Sequence, residues 1–224
     1  MTRIAAALLG ADPLYLATAI TAVEHSTAAY LHLDIMDGHY TPDISFGLRT
    51  VRAIAASTQL ALDIHLQTLP AQRYIEGLAD LGAARIAFHT DTVDDIDDAL
   101  DMLTGTGTAV GLVLNPDQPL ELLDAYLTRL DYIVLMTSRP GTSTFEPVVL
   151  DKIRALRELV DQRGHTGIEL VADGGITSHT APEVTAAGAD ILVAASALFQ
   201  TPDHDIPAAV THLTTASGTR PARH

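Results

Sequence analysis

Residues Leu31 to Gly47 read Leu-His-Leu-Asp-Ile-Met-Asp-Gly-His-Tyr-Thr-Pro-Asp-Ile-Ser-Phe-Gly. Alternation at its start predicts a strand with His32, Asp34 and Met36 on one face and Leu31, Leu33 and Ile35 on the other. The apolar face suits packing outward against helices. The opposite face sets an imidazole, a carboxylate and a thioether together, and a buried charge must be paired or bound to a metal. Leu62-Asp63-Ile64-His65-Leu66 again places an acid and a histidine two apart on one face. Leu170-Val171-Ala172-Asp173-Gly174-Gly175 ends an apolar run in a carboxylate and two glycines. His32, Asp34, His65 and Asp173, at three strand ends, are a candidate site for a divalent metal with nitrogen and oxygen ligands.

Outward from these runs, β-type and helix-type segments alternate along the whole chain. Strands are expected at Ile4–Leu9, Tyr30–Asp34, Leu60–His65, Arg85–Phe88, Ala109–Leu114, Tyr132–Met136, Glu169–Ala172 and Ile191–Ala194. Helices are expected at Leu14–Glu24, Arg49–Ala56, Pro70–Leu81, Ile96–Leu103, Leu120–Leu127, Val148–Gln162 and Thr180–Ala187. Gly82, Gly164 and Gly188 stand where helix caps are wanted. Eight β/α units predict a single α/β domain, a closed parallel (β/α)8 barrel of the TIM type. An open doubly wound sheet would want a glycine-rich turn after the first strand, which is absent. Residues 1–213 are expected to form the catalytic barrel. Residues 214–224, polar and without apolar periodicity, are expected to be a disordered C-terminal tail.

The 224 residues are 47% hydrophobic, without an apolar run long enough to span a bilayer. The start, Met-Thr-Arg-Ile-Ala-Ala-Ala-Leu-Leu-Gly, is read as a first strand rather than a signal peptide, because Asp12-Pro13 interrupts it at once. No cysteine is present, so there is neither a disulfide framework nor a thiol nucleophile, which suits the cytoplasm. The formal net charge is −15, with Lys152 the one lysine. Such a field repels nucleic acid and anionic membranes, so neither is an expected partner. The acidic run Asp91 to Asp101 is read as a solvated helix start.

With these segments in order, the chain resembles the ribulose-phosphate 3-epimerase family from Ile4 to about Phe199. The matching stretches are His32-Leu-Asp-Ile-Met-Asp-Gly-His, Asp63-Ile-His-Leu, Gly111-Leu-Val-Leu-Asn-Pro, Val134-Leu-Met-Thr, Asp173-Gly-Gly-Ile and Ala187-Gly-Ala-Asp. Each ends an expected strand. The resemblance implies a metal-dependent epimerase that inverts carbon 3 of a ketose phosphate, with D-ribulose 5-phosphate and D-xylulose 5-phosphate as the default pair. It implies one divalent ion (zinc, iron or manganese) on His32, Asp34, His65 and Asp173, and makes Asp34 and Asp173 the two acid–base residues. One carboxylate must stand on each side of the substrate plane while the metal stabilises the enediolate. Asp63 is a candidate partner for the second ring nitrogen of a ligand histidine. Barrels of this kind commonly pair, so a homo-oligomer is expected.

The resemblance has gaps around the substrate. A Pro-Ser pair in the first strand is replaced by Ala6 and Ala7, and a methionine after the third strand by Gln67. Met36 and Met136 match the other two methionines of the site, although ordinary barrel packing explains them equally on spacing alone. The Asn-Pro-Gly-Phe-Gly-Gly-Gln loop becomes Arg139-Pro140-Gly141-Thr142-Ser143-Thr144-Phe145, and a Gly-Ser pair becomes Ala195-Ser196. Gly174 and Gly175 keep their places, read as a phosphate cradle or simply a tight turn. Arg139 is a candidate for the lost phosphate contact, or an exposed turn residue. His89 and His39 are read as neighbours of the site or loop residues, Asp37 as a loop acid, and His25, His165, His179 and His204 as surface. These departures leave room for a related epimerase or isomerase on another sugar phosphate, or for a non-enzymatic sugar-phosphate-binding barrel.

Overall fold

The computed structural model describes residues 2–201 and 203–219. Among these residues are eight strands: β1 (Arg3–Ala7), β2 (Tyr30–Met36), β3 (Leu62–Gln67), β4 (Arg85–His89), β5 (Ala109–Leu114), β6 (Tyr132–Met136), β7 (Glu169–Asp173) and β8 (Ile191–Ala194). They pair in sequence order, all parallel, and β8 closes onto β1. This is the (β/α)8 TIM fold that the alternating runs imply. Helices α1 (Leu16–Glu24), α2 (Leu48–Ser57), α3 (Gln72–Ala79), α4 (Ile96–Asp101), α5 (Val149–Gln162) and α6 (Ala181–Ala187) lie in the connections, and α7 (Ser196–Phe199) and α8 (Ile206–Ser217) follow β8.

Two apolar layers hold the fold. The larger lies between the outward strand faces and the helices, and α5 shows how it is built. Val149, Ile153, Leu156 and Val160 recur at helical spacing and are buried. Each contributes about 1.5–3 kcal/mol of transfer free energy. The smaller layer fills the barrel and includes Ala5, Ala87, Val113, Val134, Val171 and Val193. Below it the barrel floor is polar. Arg85 lies 3.8 Å from the centre of the Tyr132 ring and within 3.6 Å of both Asp63 and Glu169. Gly111 makes room for this layer, because a Cβ there would stand 2.4 Å from the Tyr132 ring.

Four expectations are corrected. The first strand stops at Ala7, and Leu8–Gly10 form a 3-10 turn. β2 and β3 instead run on to Met36 and Gln67, carrying their polar faces further toward the barrel mouth. Leu120–Leu127 is not an α-helix but two 3-10 turns, Leu120–Leu123 and Leu127–Arg129. Pro116 and Pro119 withhold backbone donors there, and Lys152 Nζ takes up the Asn115 and Gln118 carbonyls. Residues 214–217 belong to α8 rather than to a tail. Asp205 caps that helix by accepting from the Ala208 N–H at 2.9 Å, and Val210, Leu213 and Ser217 are buried. The expected tail residues 220–224 lie outside the described residues.

Candidate metal centre and active site

Parallel pairing of β2 with β3 sets His32 beside Asp63, Asp34 beside His65 and Met36 beside Gln67. Because the inward face alternates, His32, Asp34, His65 and Gln67 all point into the upper barrel. β7 brings Asp173 in from the far side, in register with Met136. The four expected metal ligands converge: one donor atom from each lies within 4.8 Å of the other three, and all four residues are buried. His65 Nδ1 stands 3.0 Å from Asp173 Oδ2 and 3.3 Å from Asp34 Oδ1. His32 Nε2 stands 3.4 Å from Asp34 Oδ1 and 3.6 Å from Asp173 Oδ2.

The donor set fits a divalent cation. Ligands around a zinc-sized ion at 2.0–2.1 Å are roughly 3.3–3.4 Å apart along a tetrahedral edge, and these four contacts straddle that value. His32 Nε2 is buried without a hydrogen-bond partner, an orphan that a metal would satisfy. Its other nitrogen, Nδ1, lies 2.9 Å from Asp63 Oδ2, so Asp63 orients the ring as the sequence suggested.

The electrostatics favour separated charges. Burial pushes the His32 imidazole down, but the Asp34 and Asp63 carboxylates outweigh it and hold it well above its usual range. His65 is likewise raised, against burial, by Asp173 and Asp34. Burial alone would raise Asp34; the two imidazoles instead hold it ionised far below the usual carboxylate range. A ligating imidazole must be neutral, whereas the neighbouring carboxylates favour its protonated form, so metal uptake has to displace a proton wherever one is held. Metal binding is therefore expected to release protons, and its apparent affinity to fall as pH is lowered. Calorimetry in two buffers of different ionisation enthalpy, repeated at lower pH, reads this directly; an affinity and a proton release that stay the same as pH is lowered would contradict it.

Above the cluster opens a cavity of about 330 Å³. It is lined by the two expected acid–base residues, Asp34 and Asp173, and by most of the expected substrate residues: Met36, Gln67, Met136, Gly141, Gly174, Gly175 and Ala195. Gln67 turns its Nε2 to donate to Asp34 Oδ1 at 2.9 Å. Gly174 and Gly175 take positive φ, and a Cβ on either would collide with the loop after β6: 2.1 Å from Ser138 Oγ and 2.8 Å from the Ser143 carbonyl. Their tight turn is required by that packing, whatever they also bind.

Arg139 lies outside this cavity. Its side chain is 76% exposed and paired with Glu146 at 3.3 Å, beside a different hollow with Asn115 and Asp117. Ser196 also lies off the cavity, opening α7. Asp37 is a loop acid that accepts from the N–H groups of His39, Tyr40 and Leu69. Sequence reasoning missed Ser138, Thr142 and Ser143, which line the cavity because the loop after β6 folds back over the glycine turn. The run of small hydroxyl residues there was its one signal.

Comparison with known proteins agrees with this geometry. A family model described as the ribulose-phosphate 3-epimerase family matches residues 3–199. This chain belongs to the ribulose-phosphate 3-epimerase family. It is 35% identical over 201 residues to the ribulose-phosphate 3-epimerase of Bacillus subtilis, covering 89% of this chain and 93% of that one. It is 36% identical over 204 residues to that of Escherichia coli K12, covering 90% of each. Among solved structures, a Mycobacterium tuberculosis tryptophan synthase structure superposes with a TM-score of 0.73 at 14% identity, over 99% of this chain and 93% of that one. That likeness concerns the barrel alone. Among the described residues, no helix is long and apolar enough to cross a membrane.

Proposed function

We propose that this chain is a metal-dependent epimerase that inverts carbon 3 of a ketose phosphate, interconverting D-ribulose 5-phosphate and D-xylulose 5-phosphate. The observation that carries the reading is the convergence of Asp34 and Asp173, from strands that are not neighbours, on one cavity beside two histidines. Inversion requires removing a proton next to a carbonyl and returning one from the opposite face, so two carboxylates are needed. Asp34 and Asp173 serve the two faces. A divalent ion held by His32, Asp34, His65 and Asp173 supplies Lewis-acid stabilisation of charge developing on the substrate oxygens.

The remaining work falls to the chain's own side chains. Gln67 donates to Asp34 Oδ1 and so fixes the orientation of the carboxylate toward the cavity. Met36 and Met136 wall the reacting carbon with thioethers, which exclude water without competing for the proton. The Gly174–Gly175 turn and Ala195 border the cavity where the substrate's phosphate end would lie. With net charge −15, backbone N–H groups and the ion are the means of attracting an anion here.

The test is an assay in both directions with metal-loaded and chelator-stripped protein. Interconversion of the two pentulose phosphates, lost on stripping and restored by a divalent ion, is the expected result. Metal-loaded protein that interconverts neither epimer would refute the reading.

A further inference from the structure

The two nitrogens of His65 face different surroundings. Nδ1 looks toward Asp173 and Asp34, the corner that a metal would share. Nε2 points the other way and lies 2.9 Å from Nε2 of His89, a buried residue at the end of β4. His89 Nδ1 lies 2.9 Å from the hydroxyl of Tyr40, in the loop after β2. That hydroxyl accepts from Asn115 Nδ2 at 2.7 Å and lies 3.0 Å from Asp91 Oδ1, in the loop after β4.

The direction of this run follows from donor chemistry. A nitrogen that gives its electron pair to a metal carries no proton, so His65 has its hydrogen on Nε2 and donates to His89 Nε2. His89 then has its hydrogen on Nδ1 and donates to Tyr40. The Tyr40 oxygen, accepting from both His89 and Asn115, sends its own hydrogen to Asp91, which as a carboxylate only accepts. Every link has one donor and one acceptor. Reversing the run would set Tyr40 and Asp91 lone pairs against each other at 3.0 Å. It would also place the His65 hydrogen on Nδ1, where it blocks the metal.

We propose that His89, Tyr40 and Asp91 are positioning residues: a one-way hydrogen-bond run from an exposed loop carboxylate that holds His65 as its Nε2–H tautomer and keeps Nδ1 bare for the ion. This rests on the metal reading of His65 but not on the identity of the sugar. It also treats the two histidine ligands differently, since His32 is held by a buried carboxylate and His65 by a run that reaches the surface.

Zinc alone, titrated into the full chain in competition with a chromophoric chelator, tests the proposal without any substrate. Tyr40→Phe is expected to raise the zinc dissociation constant by about 10–100-fold, the usual cost of losing a ligand's outer partner. Asp91→Ala, at an exposed position, should weaken zinc in the same direction, and Asp91→Asn, which keeps an acceptor, should recover most of the loss. In zinc-loaded wild type, nitrogen-15 spectra should show His65 as Nε2–H and His89 as Nδ1–H, with the His89 hydrogen losing its exchange protection in Tyr40→Phe. Unchanged zinc affinity in both Tyr40→Phe and Asp91→Ala, or His89 found as its Nε2–H tautomer, would overturn the run. Wild type that takes up no zinc would overturn the metal reading and the run with it. Failure of the pentulose assay alone, with zinc bound and the variants weakened, would count against the substrate only.

Discussion

Asp173→Asn is expected to lower epimerisation by about 10²–10⁴-fold in kcat, the usual contribution of a proton-transfer group, while the barrel stays folded. Asparagine keeps the shape of the side chain and one carbonyl oxygen but accepts no proton. Asp173 ends β7 against Met136 and faces the cavity, so the exchange disturbs little packing. It does remove a charge beside His65 Nδ1 at 3.0 Å, so metal content must be measured on the same sample. A variant with full metal and lost turnover isolates the proton transfer. Solvent-deuterium exchange at carbon 3 adds a stricter reading. With one base per face, the variant should exchange one epimer far more slowly than the other, and equal exchange from both would contradict the two-carboxylate account.

Asp63→Ala carries the largest expected loss of stability. The Asp63 carboxylate is buried between His32 Nδ1 at 2.9 Å and Arg85 Nε at 3.6 Å. Burial pushes it up, but His32 and then Arg85 outweigh that and hold it below the usual carboxylate range. Its removal leaves the buried Arg85 guanidinium, stacked on Tyr30 and Tyr132, with Glu169 in place of two carboxylates and strands a histidine donor, a cost of about 3–5 kcal/mol. For a chain of this size that is roughly 6–20 °C in Tm. Metal affinity should fall as well, because nothing then orients His32. Replacing Arg85 by methionine in the same chain should return much of the stability, since the uncompensated charge is gone, but none of the metal affinity. Thermal denaturation and metal titration of the single and double variants separate the two effects. An Asp63→Ala chain as stable as wild type would contradict the role given to the barrel floor.

The parts of this fold that are local were legible in the sequence. β2 alternates by itself, so the shared face of His32, Asp34 and Met36 could be read before any neighbour was known. Convergence with His65 and Asp173 followed once eight such units implied a barrel, because strand ends then meet at one mouth. Where tertiary contact decides, the sequence was silent or misleading. Arg139 sits beside the right strand end, yet Glu146 seven residues on captures it outside the cavity. The segment around Thr214 looks polar, but Thr211, Thr214, Thr215 and Ser217 turn their hydroxyls back to carbonyls four residues earlier and so fit a helix. The contacts of Tyr40, His89, Asp91 and Asn115 join segments up to 75 residues apart, and no periodicity announces them.

The most direct measurement is proton NMR of D-ribulose 5-phosphate with the metal-loaded protein in deuterated water. The two-carboxylate account predicts loss of the carbon-3 proton signal together with the appearance of D-xylulose 5-phosphate deuterated at that carbon. Retention of the signal with metal confirmed bound, or loss of it without formation of the xylulose epimer, would contradict it.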